Sequence, residues 1–208
     1  NIEDLRGKSE WHGDTKTVGD STQYSPPDNA KEIFCPGNQP KKSTTKDATS
    51  VPRIDFSRLG RLDENMACDR KGFDFFVLHD GGRWGNANAE TAIERLIDMW
   101  SGKGVSSHYF IDADGTIFQL VSEKFRANHG GCRRKKKGPE KCPISSVNQR
   151  SIGIDLRWKN EMYTNEQYIS LNYLLKDISR RRGIPLDDQH ILAHFEVAKF
   201  AHYDPRGP

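Results

Sequence analysis

The sequence has few apolar residues and no long apolar run. Hydrophobic residues make up 34% of its 208 residues, and charged residues make up 29%. No stretch approaches the roughly 20 apolar residues that a helix needs to cross a bilayer. Internal repeats are also absent, which leaves no basis for a repeat architecture. We therefore expect a chain without a transmembrane segment, long enough for one ordinary domain and an appendage.

The cysteines lack the spacing of a zinc finger or of a CxxC motif. They are Cys35, Cys68, Cys132 and Cys142, which allow three disulfide pairings. Cys132 and Cys142 bracket a polar loop and could pair locally, and Cys35 would then pair with Cys68. An even count in a chain with little apolar surface favours an oxidising compartment, against the alternative of four free thiols in a cytosolic protein. We expect a periplasmic or secreted protein.

A strong charge of one sign is missing as well, since the formal net charge is only +3. Nucleic acid is not an expected partner, because the basic residues are not interleaved with aromatic residues in any recognisable binding module. One basic run stands out at 133–137, between Cys132 and Cys142. It fits adhesion to an anionic polymer or membrane surface, and it equally fits a solvated charged loop.

The N-terminal part of the chain is poor in apolar residues and rich in Pro, Ser, Thr, Asp, Asn and Lys over 1–52. Such a composition cannot bury enough apolar area to fold alone. We predict an extended polar arm over 1–70 that packs on a catalytic domain over 71–208, with Ile54, Phe56 and Leu59 as anchors. Because the chain begins with Asn1 and shows no signal peptide, we expect a mature or trimmed chain from which the targeting segment is absent.

Clear strand and helix patterns begin at Phe73. An apolar run from there ends at His79, which predicts a buried central strand that Gly81 and Gly82 interrupt. Apolar residues then recur at helical spacing over 92–100. Two strands over 108–112 and 116–121 are joined by Ala-Asp-Gly, which is typical of a hairpin turn.

The second half continues the alternation. A strand is predicted over 151–158, and Thr164 with Gln167 forms a capping-box signature that opens a long helix. A short last strand follows around 190–193, and the closing segment is predicted to be irregular. Strands and helices interleave and one strand pair is antiparallel, so we predict an α/β fold with a central mixed β-sheet flanked by helices.

Residues with metal-binding chemistry lie in three separate places. His79 ends the first strand, His194 lies in Ala-His-Phe-Glu, and Asp204 lies in His-Tyr-Asp-Pro. Two imidazoles and one carboxylate leave the fourth tetrahedral position of zinc for water, as in hydrolytic zinc sites. Asp155 supplies a carboxylate that could activate that water. His194, His202 and Asp204 could also bind one ion together, and a turn residue before Pro is another interpretation of Asp204.

Six segments follow one another in the order and spacing of a known family. The sequence resembles the zinc-dependent N-acetylmuramoyl-L-alanine amidases related to peptidoglycan recognition proteins, over roughly residues 73–208. The segments are Val-Leu-His at 77–79, Ser-His-Tyr-Phe-Ile-Asp-Ala-Asp-Gly-Thr-Ile-Phe-Gln-Leu-Val at 107–121, Asn-x-x-Ser-Ile-Gly-Ile-Asp-Leu at 148–156, Tyr-Thr-x-x-Gln-Tyr at 163–168, Ala-His-Phe-Glu at 193–196 and Asp-Pro-x-Gly-Pro at 204–208.

The resemblance implies that His79, His194 and Asp204 bind Zn²⁺. It implies peptidoglycan or its muropeptide fragments as substrate, cut at the amide bond between N-acetylmuramic acid and L-alanine. Asp155 stands where bacterial members commonly carry Glu, and it would act as the general base with a side chain one methylene shorter. His202 stands where many relatives carry Lys, and it would help to stabilise the oxyanion.

Two further residues are candidates for substrate binding. His129, in Ala-Asn-His-Gly, occupies a place where relatives often present a histidine to the groove. Trp84 lies in the glycine-rich loop after His79 and could line the sugar side of that groove, or it could pack into the core.

Three other functions compete with the amidase interpretation. The first is a recognition domain that binds peptidoglycan stem peptides without cutting them. Such relatives usually lack a zinc ligand, whereas all three are present here. The second is a zinc peptidase or amidase that acts on another amide, because metal chemistry alone does not select the substrate. The third is an interaction protein in which the arm is the functional part.

Overall fold

A computed structural model describes residues 52, 54–62, 65–131, 144–158, 163–198 and 204–205. Residues 1–51 of the predicted arm, the basic run over 133–137 and the predicted oxyanion residue His202 lie outside the described residues, as do three of the four cysteines. The elements in chain order are β1 (Ile54–Asp55), β2 (Met66–Ala67), β3 (Phe75–Arg83), α1 (Ala89–Trp100), β4 (Tyr109–Ile111), β5 (Ile117–Gln119), β6 (Arg126–Ala127), α2 (Val147–Arg150), β7 (Ser151–Trp158), α3 (Asn165–Arg182), β8 (Ile191–Ala193) and α4 (His194–Val197).

The predicted mixed sheet is confirmed. Six strands lie in the order β1-β5-β4-β7-β3-β8. β3 is parallel to both of its neighbours, β7 and β8, and β4 is parallel to β7. β4 and β5 form the predicted antiparallel hairpin, with Gly115 in its turn at a φ of 85°. A small second sheet of β2 and β6 was not predicted, because two-residue strands carry no periodicity.

Helices cover both faces of the sheet. Alternate residues of β7 point to opposite faces, so Ile152, Ile154 and Leu156 pack with the apolar side of α3. On the other face, α1 packs on Phe110 and Phe118 of the hairpin. That second face also carries Ser151, Gly153 and Asp155 of β7, and it is where the polar site described below lies.

A side-chain cap begins each of the two long helices. The Asn88 side chain accepts a hydrogen bond from the Thr91 amide at 2.8 Å, and α1 follows. Thr164 and Gln167 form the predicted capping box of α3, which ends at Gly183 with a φ of 74°. None of the described helices combines the length and the apolarity that crossing a membrane requires.

β3 differs from the prediction at its C-terminal end. The strand continues through Gly81 and Gly82 to Arg83, with a register irregularity between Asp80 and Arg83. A Cβ atom at Gly81 would lie 2.7 Å from Cε2 of Phe110, and Gly82 has a φ of 88°. The glycines therefore allow a bulge and a close contact within the strand instead of ending it.

The parallel strands bring the polar residues to one edge of the sheet. His79 lies late in β3, Asp155 is its register partner in β7, and His194 directly follows β8. The closing segment contains the short helix α4, where the prediction had irregular structure only. Ligand sites of open α/β sheets lie at the carboxyl ends of the strands, and this edge is the one that carries the candidate site.

Candidate active site and metal centre

The structure brings the three predicted metal ligands together. One ligand atom each from His79, His194 and Asp204 can be chosen so that all lie within 4.8 Å of one another. The parallel pairing of β3 with β8 places the two histidines side by side. The Phe195 amide donates a hydrogen bond to the backbone carbonyl of Asp204 at 3.1 Å, which brings the segment with the carboxylate back to α4.

The same nitrogen of each histidine ring faces the carboxylate. Nδ1 of His194 lies 3.1 and 3.0 Å from the two carboxylate oxygens of Asp204. Nδ1 of His79 lies 3.5 Å from Oδ2 of Asp204. The two rings meet edge to face, with centroids 4.4 Å apart. Both histidines are buried, at 4% and 5% exposure, and the Asp204 side chain is partly exposed.

The electrostatics of this cluster suit a cation. Burial acts to raise the pKa of Asp204, but hydrogen bonds from His194 and His79 hold that pKa far below its usual range. The carboxyl group is therefore ionised at any physiological pH. Two imidazole nitrogens and one carboxylate oxygen that face a common point are a donor set that Zn²⁺ binds. The residues present fit the metal that the sequence predicts.

Asp155 is buried beside this cluster. It is 4% exposed, and its Oδ2 has no hydrogen-bond partner among the described residues. The pKa of Asp155 is raised to about 8, chiefly by burial, with the Ser107 hydroxyl acting against the shift and the charges of Asp204 and Asp80 adding to it. A carboxyl group with a raised pKa and an unused oxygen is suited to accept a proton.

His129 contacts the metal cluster from the other side. Its Nδ1 lies 3.0 Å from Nε2 of His79, and its Nε2 lies 3.3 Å from Oγ of Ser151. Burial lowers the pKa of His129 well below its usual value, and His79 adds to the effect. A Cβ atom at Gly153 would fall 2.5 Å from Cγ of His129. The ring therefore occupies space that only a glycine in β7 leaves open.

A cleft of about 730 Å³ opens onto these residues. The sequence did not single out Asp80, Trp100, Ser106 or Asn128 for this site, because none of them belongs to a recognisable metal or catalytic pattern. The described lining residues are His79, Asp80, Gly82, Trp100, Gly104, Val105, Ser106, Asn128, His129, Gly131, Asn148, Asp155, His194 and Asp204.

Trp84 is placed differently from the other candidates. Its indole Nε1 donates to the carbonyl of Gly81 at 3.0 Å, and its ring packs against the apolar cluster under α1. It is not among the described residues that line the cleft. A role of Trp84 in sugar binding stays a prediction, whereas His129 does lie in the cleft wall.

Comparisons with known proteins identify the family of this chain. A family model for N-acetylmuramoyl-L-alanine amidase matches residues 69–207. The chain belongs to this amidase family. It is 34% identical over 102 residues to the 1,6-anhydro-N-acetylmuramyl-L-alanine amidase AmpD of Haemophilus influenzae. That match covers 49% of this chain and 52% of AmpD, so the chain spans about half the length of this curated relative.

Solved structures share the fold. A selenomethionine derivative of AmpD superposes with a TM-score of 0.52 at 22% identity, over 77% of this chain and 90% of AmpD. The endolysin amidase LysCS of Clostridium intestinale superposes with a TM-score of 0.51 at 18% identity, over 77% of this chain and 93% of its own. The family predicted from the six sequence segments is confirmed.

Proposed function

We propose that this protein hydrolyses the amide bond between N-acetylmuramic acid and L-alanine in peptidoglycan, with Zn²⁺ as cofactor. The observation that supports it most is the meeting of His79, His194 and Asp204 within 4.8 Å, in a cleft that also contains Asp155. The family match over residues 69–207 supports the reaction type. The Haemophilus influenzae relative is named for cleavage of an N-acetylmuramyl-L-alanine amide, which supports the choice of bond.

His79, His194 and Asp204 would hold the metal. When bound, Zn²⁺ polarises the scissile carbonyl and makes water a stronger acid. The three side chains come from β3, from the start of α4 and from the segment that returns to α4. Because two of them are anchored by the paired strands β3 and β8, their positions are set before substrate arrives.

Asp155 would hold the proton that leaves water and pass it to the nitrogen of the departing L-alanine. Its raised pKa makes the ionised form a good proton acceptor. The side chain of Asp155 is one methylene shorter than that of Glu. The water that it deprotonates would therefore bind closer to β7. His202 would stabilise the developing oxyanion, as the sequence resemblance implies.

We also propose a periplasmic or secreted location. Cys68 is disulfide-bonded, and its partner lies outside the described residues. A disulfide supports an oxidising compartment. The pairing of Cys35 with Cys68, the pairing of Cys132 with Cys142 and the role of the basic run over 133–137 stay predictions.

Digestion of two substrates would test the proposed function. Purified peptidoglycan and anhydro-muropeptides are incubated separately with chelator-treated and with zinc-restored protein, and the products are identified by mass spectrometry. We expect zinc-dependent release of peptides with a free N-terminal L-alanine, and the faster substrate shows which form of the sugar is preferred.

Two results would contradict the proposal. Bound zinc without cleavage of either substrate would favour a recognition domain, and release of peptides cut at another amide would favour a zinc peptidase. Asp204→Asn is the matched control, because it keeps the size of the side chain but removes the anionic ligand. It should lose both zinc and activity.

A further inference from the structure

Three hydrogen-bond contacts connect the metal cluster to the backbone. Ser151 Oγ lies 2.6 Å from the carbonyl oxygen of Val147. The same Oγ lies 3.3 Å from Nε2 of His129, and Nδ1 of His129 lies 3.0 Å from Nε2 of His79. Val147, Ser151 and His129 are all buried, and a hydrogen bond is electrostatically stronger in such surroundings than in water.

The positions of the protons follow from the chemistry of each partner. A carbonyl oxygen only accepts, so the single hydroxyl proton of Ser151 is donated to Val147. Toward His129 the same oxygen can then only accept, which requires a proton on Nε2 of His129. A neutral imidazole has one N–H, so Nδ1 of His129 is an acceptor. Nε2 of His79 must therefore be the donor in the contact between the two rings.

This order of donors leaves the lone pair of His79 on Nδ1. That nitrogen is the one that lies 3.5 Å from the carboxylate of Asp204, on the side where Nδ1 of His194 also points. A histidine binds a metal through the lone pair of one ring nitrogen, and the hydrogen bond of the other nitrogen selects the tautomer.

We propose that His129 is a positioning residue for the metal ligand His79, and that Ser151 sets the tautomer of both rings. The proposal rests on the metal part of the proposed function and not on the identity of the substrate. It gives His129 a role different from direct substrate binding, because both of its ring nitrogens are engaged within the protein.

The packing around His129 supports a fixed ring. Gly153 lies under the ring, where a Cβ atom would come within 2.5 Å of Cγ. The Asn148 side-chain oxygen accepts hydrogen bonds from the amides of His129, at 3.2 Å, and of Gly130, at 2.6 Å. The backbone and the ring are thus both held, so His129 can transmit a preferred orientation to His79.

NMR correlation of the ring protons and nitrogens would test the tautomers directly. The spectra are recorded on the full chain without metal and with zinc, and the signals are assigned with His129→Gln and His190→Ala variants. We expect His129 to carry its proton on Nε2 in both samples, and His79 to carry its proton on Nε2 in the zinc sample. A proton on Nδ1 of His129 would overturn the proposal.

Zinc affinity measured by chelator competition is the second readout. Loss of a residue that orients a metal ligand typically weakens metal binding about 10–100-fold, which we expect for His129→Ala. His129→Gln keeps a side-chain acceptor and should lose less. Ser151→Ala should weaken zinc binding by less than His129→Ala, because the ring remains but its tautomer is no longer selected.

Matched controls separate this role from a general loss of structure. His190 bonds to Asp187 at the opposite end of β8, and Ser170 is a buried serine whose hydroxyl donates to the Gly115 carbonyl at 2.6 Å. His190→Ala and Ser170→Ala should bind zinc like the unmodified protein. Unchanged zinc affinity in folded His129→Ala and Ser151→Ala would overturn the proposal.

The outcomes distinguish this proposal from the proposed function. If zinc binds and His129 has the expected tautomer but no amide is cut, the positioning role stands and the amidase function fails. If the amide is cut while His129 carries its proton on Nδ1, the amidase function stands and the positioning role fails. The spectra of the unmodified chain report the tautomer of His129 even where a variant does not fold.

Discussion

Asp155 and Glu123 are equally buried carboxyl groups, each 4% exposed, that have opposite electrostatic environments. Asp155 lies beside the carboxylates of Asp204 and Asp80, and its pKa is raised to about 8, chiefly by burial. Burial acts on Glu123 as well, but hydrogen bonds and charge from two arginines lower its pKa to about 2. Burial alone therefore does not decide the charge of an acid, and the partners do.

The partners of Glu123 come from two separate elements. Tyr109 of β4 donates its hydroxyl to Oε1 at 2.6 Å. Arg181 of α3 donates to both oxygens at 2.8 Å, and Arg182 donates to Oε2 at 2.6 Å. Both oxygens of the carboxylate are thereby occupied, which makes this group a structural connection between α3 and the sheet.

Asp155 lacks such an arrangement. Its Oδ2 has no hydrogen-bond partner among the described residues, and its charged neighbours have the same sign. The carboxyl group of Asp155 therefore does not stabilise the fold. A free oxygen and a raised pKa are instead the properties that proton transfer requires. The comparison teaches that the buried carboxyl group with an oxygen lacking a hydrogen-bond partner is the candidate for catalysis. The buried carboxylate whose oxygens are all hydrogen-bonded has a structural role.

The largest expected effect concerns activity. Asp155→Asn should lower kcat for amide hydrolysis by about 10²–10⁴-fold, because the amide side chain cannot accept a proton. Glu123→Gln should leave kcat per folded molecule within a few-fold of the unmodified value. Steady-state kinetics with a muropeptide and a count of folded molecules check both. Full activity of Asp155→Asn would remove it from the proposed mechanism.

The second effect concerns stability. Glu123→Gln should lower the free energy of unfolding by about 3 kcal/mol at neutral pH, because the arginines and Tyr109 lose a charged partner. The folded-state pKa of Glu123 is depressed, so its contribution is present above the unfolded pKa and is lost as pH falls toward about 2. Urea unfolding of both proteins at several pH values measures the difference. A difference that does not shrink in acid would contradict the assignment.

The smallest effect has the opposite sign. Asp155→Asn should raise the free energy of unfolding of the metal-free protein above pH 8, on the order of 1–2 kcal/mol, because a buried charge is removed. The folded-state pKa of Asp155 is raised to about 8, so wild-type stability falls as pH rises from the unfolded pKa through that value. Thermal melts at acidic and alkaline pH measure the change. Equal melting temperatures at alkaline pH would show that Asp155 is better satisfied than its contacts indicate.

Much of the fold could be predicted because its signals are local. The predicted strand over 151–158 coincides with β7, and the capping box at Thr164 begins α3 as expected. The bulge in β3 could not be predicted from Gly81 and Gly82, since a glycine pair is equally typical of a strand end. The need for glycine at position 81 depends on Phe110, a residue of another strand that a Cβ atom there would contact.

The sequence by itself determined which residues have metal-binding chemistry, because His79, His194 and Asp204 lie in short segments whose order resembles an amidase family. Only the tertiary structure decided that Nδ1 of both histidines faces Asp204, that His129 contacts His79, and that Glu123 has partners which Asp155 lacks. The physical reason is that side-chain type is a property of each residue. Orientation, proton position and pKa depend on groups that are distant in the chain and adjacent in space.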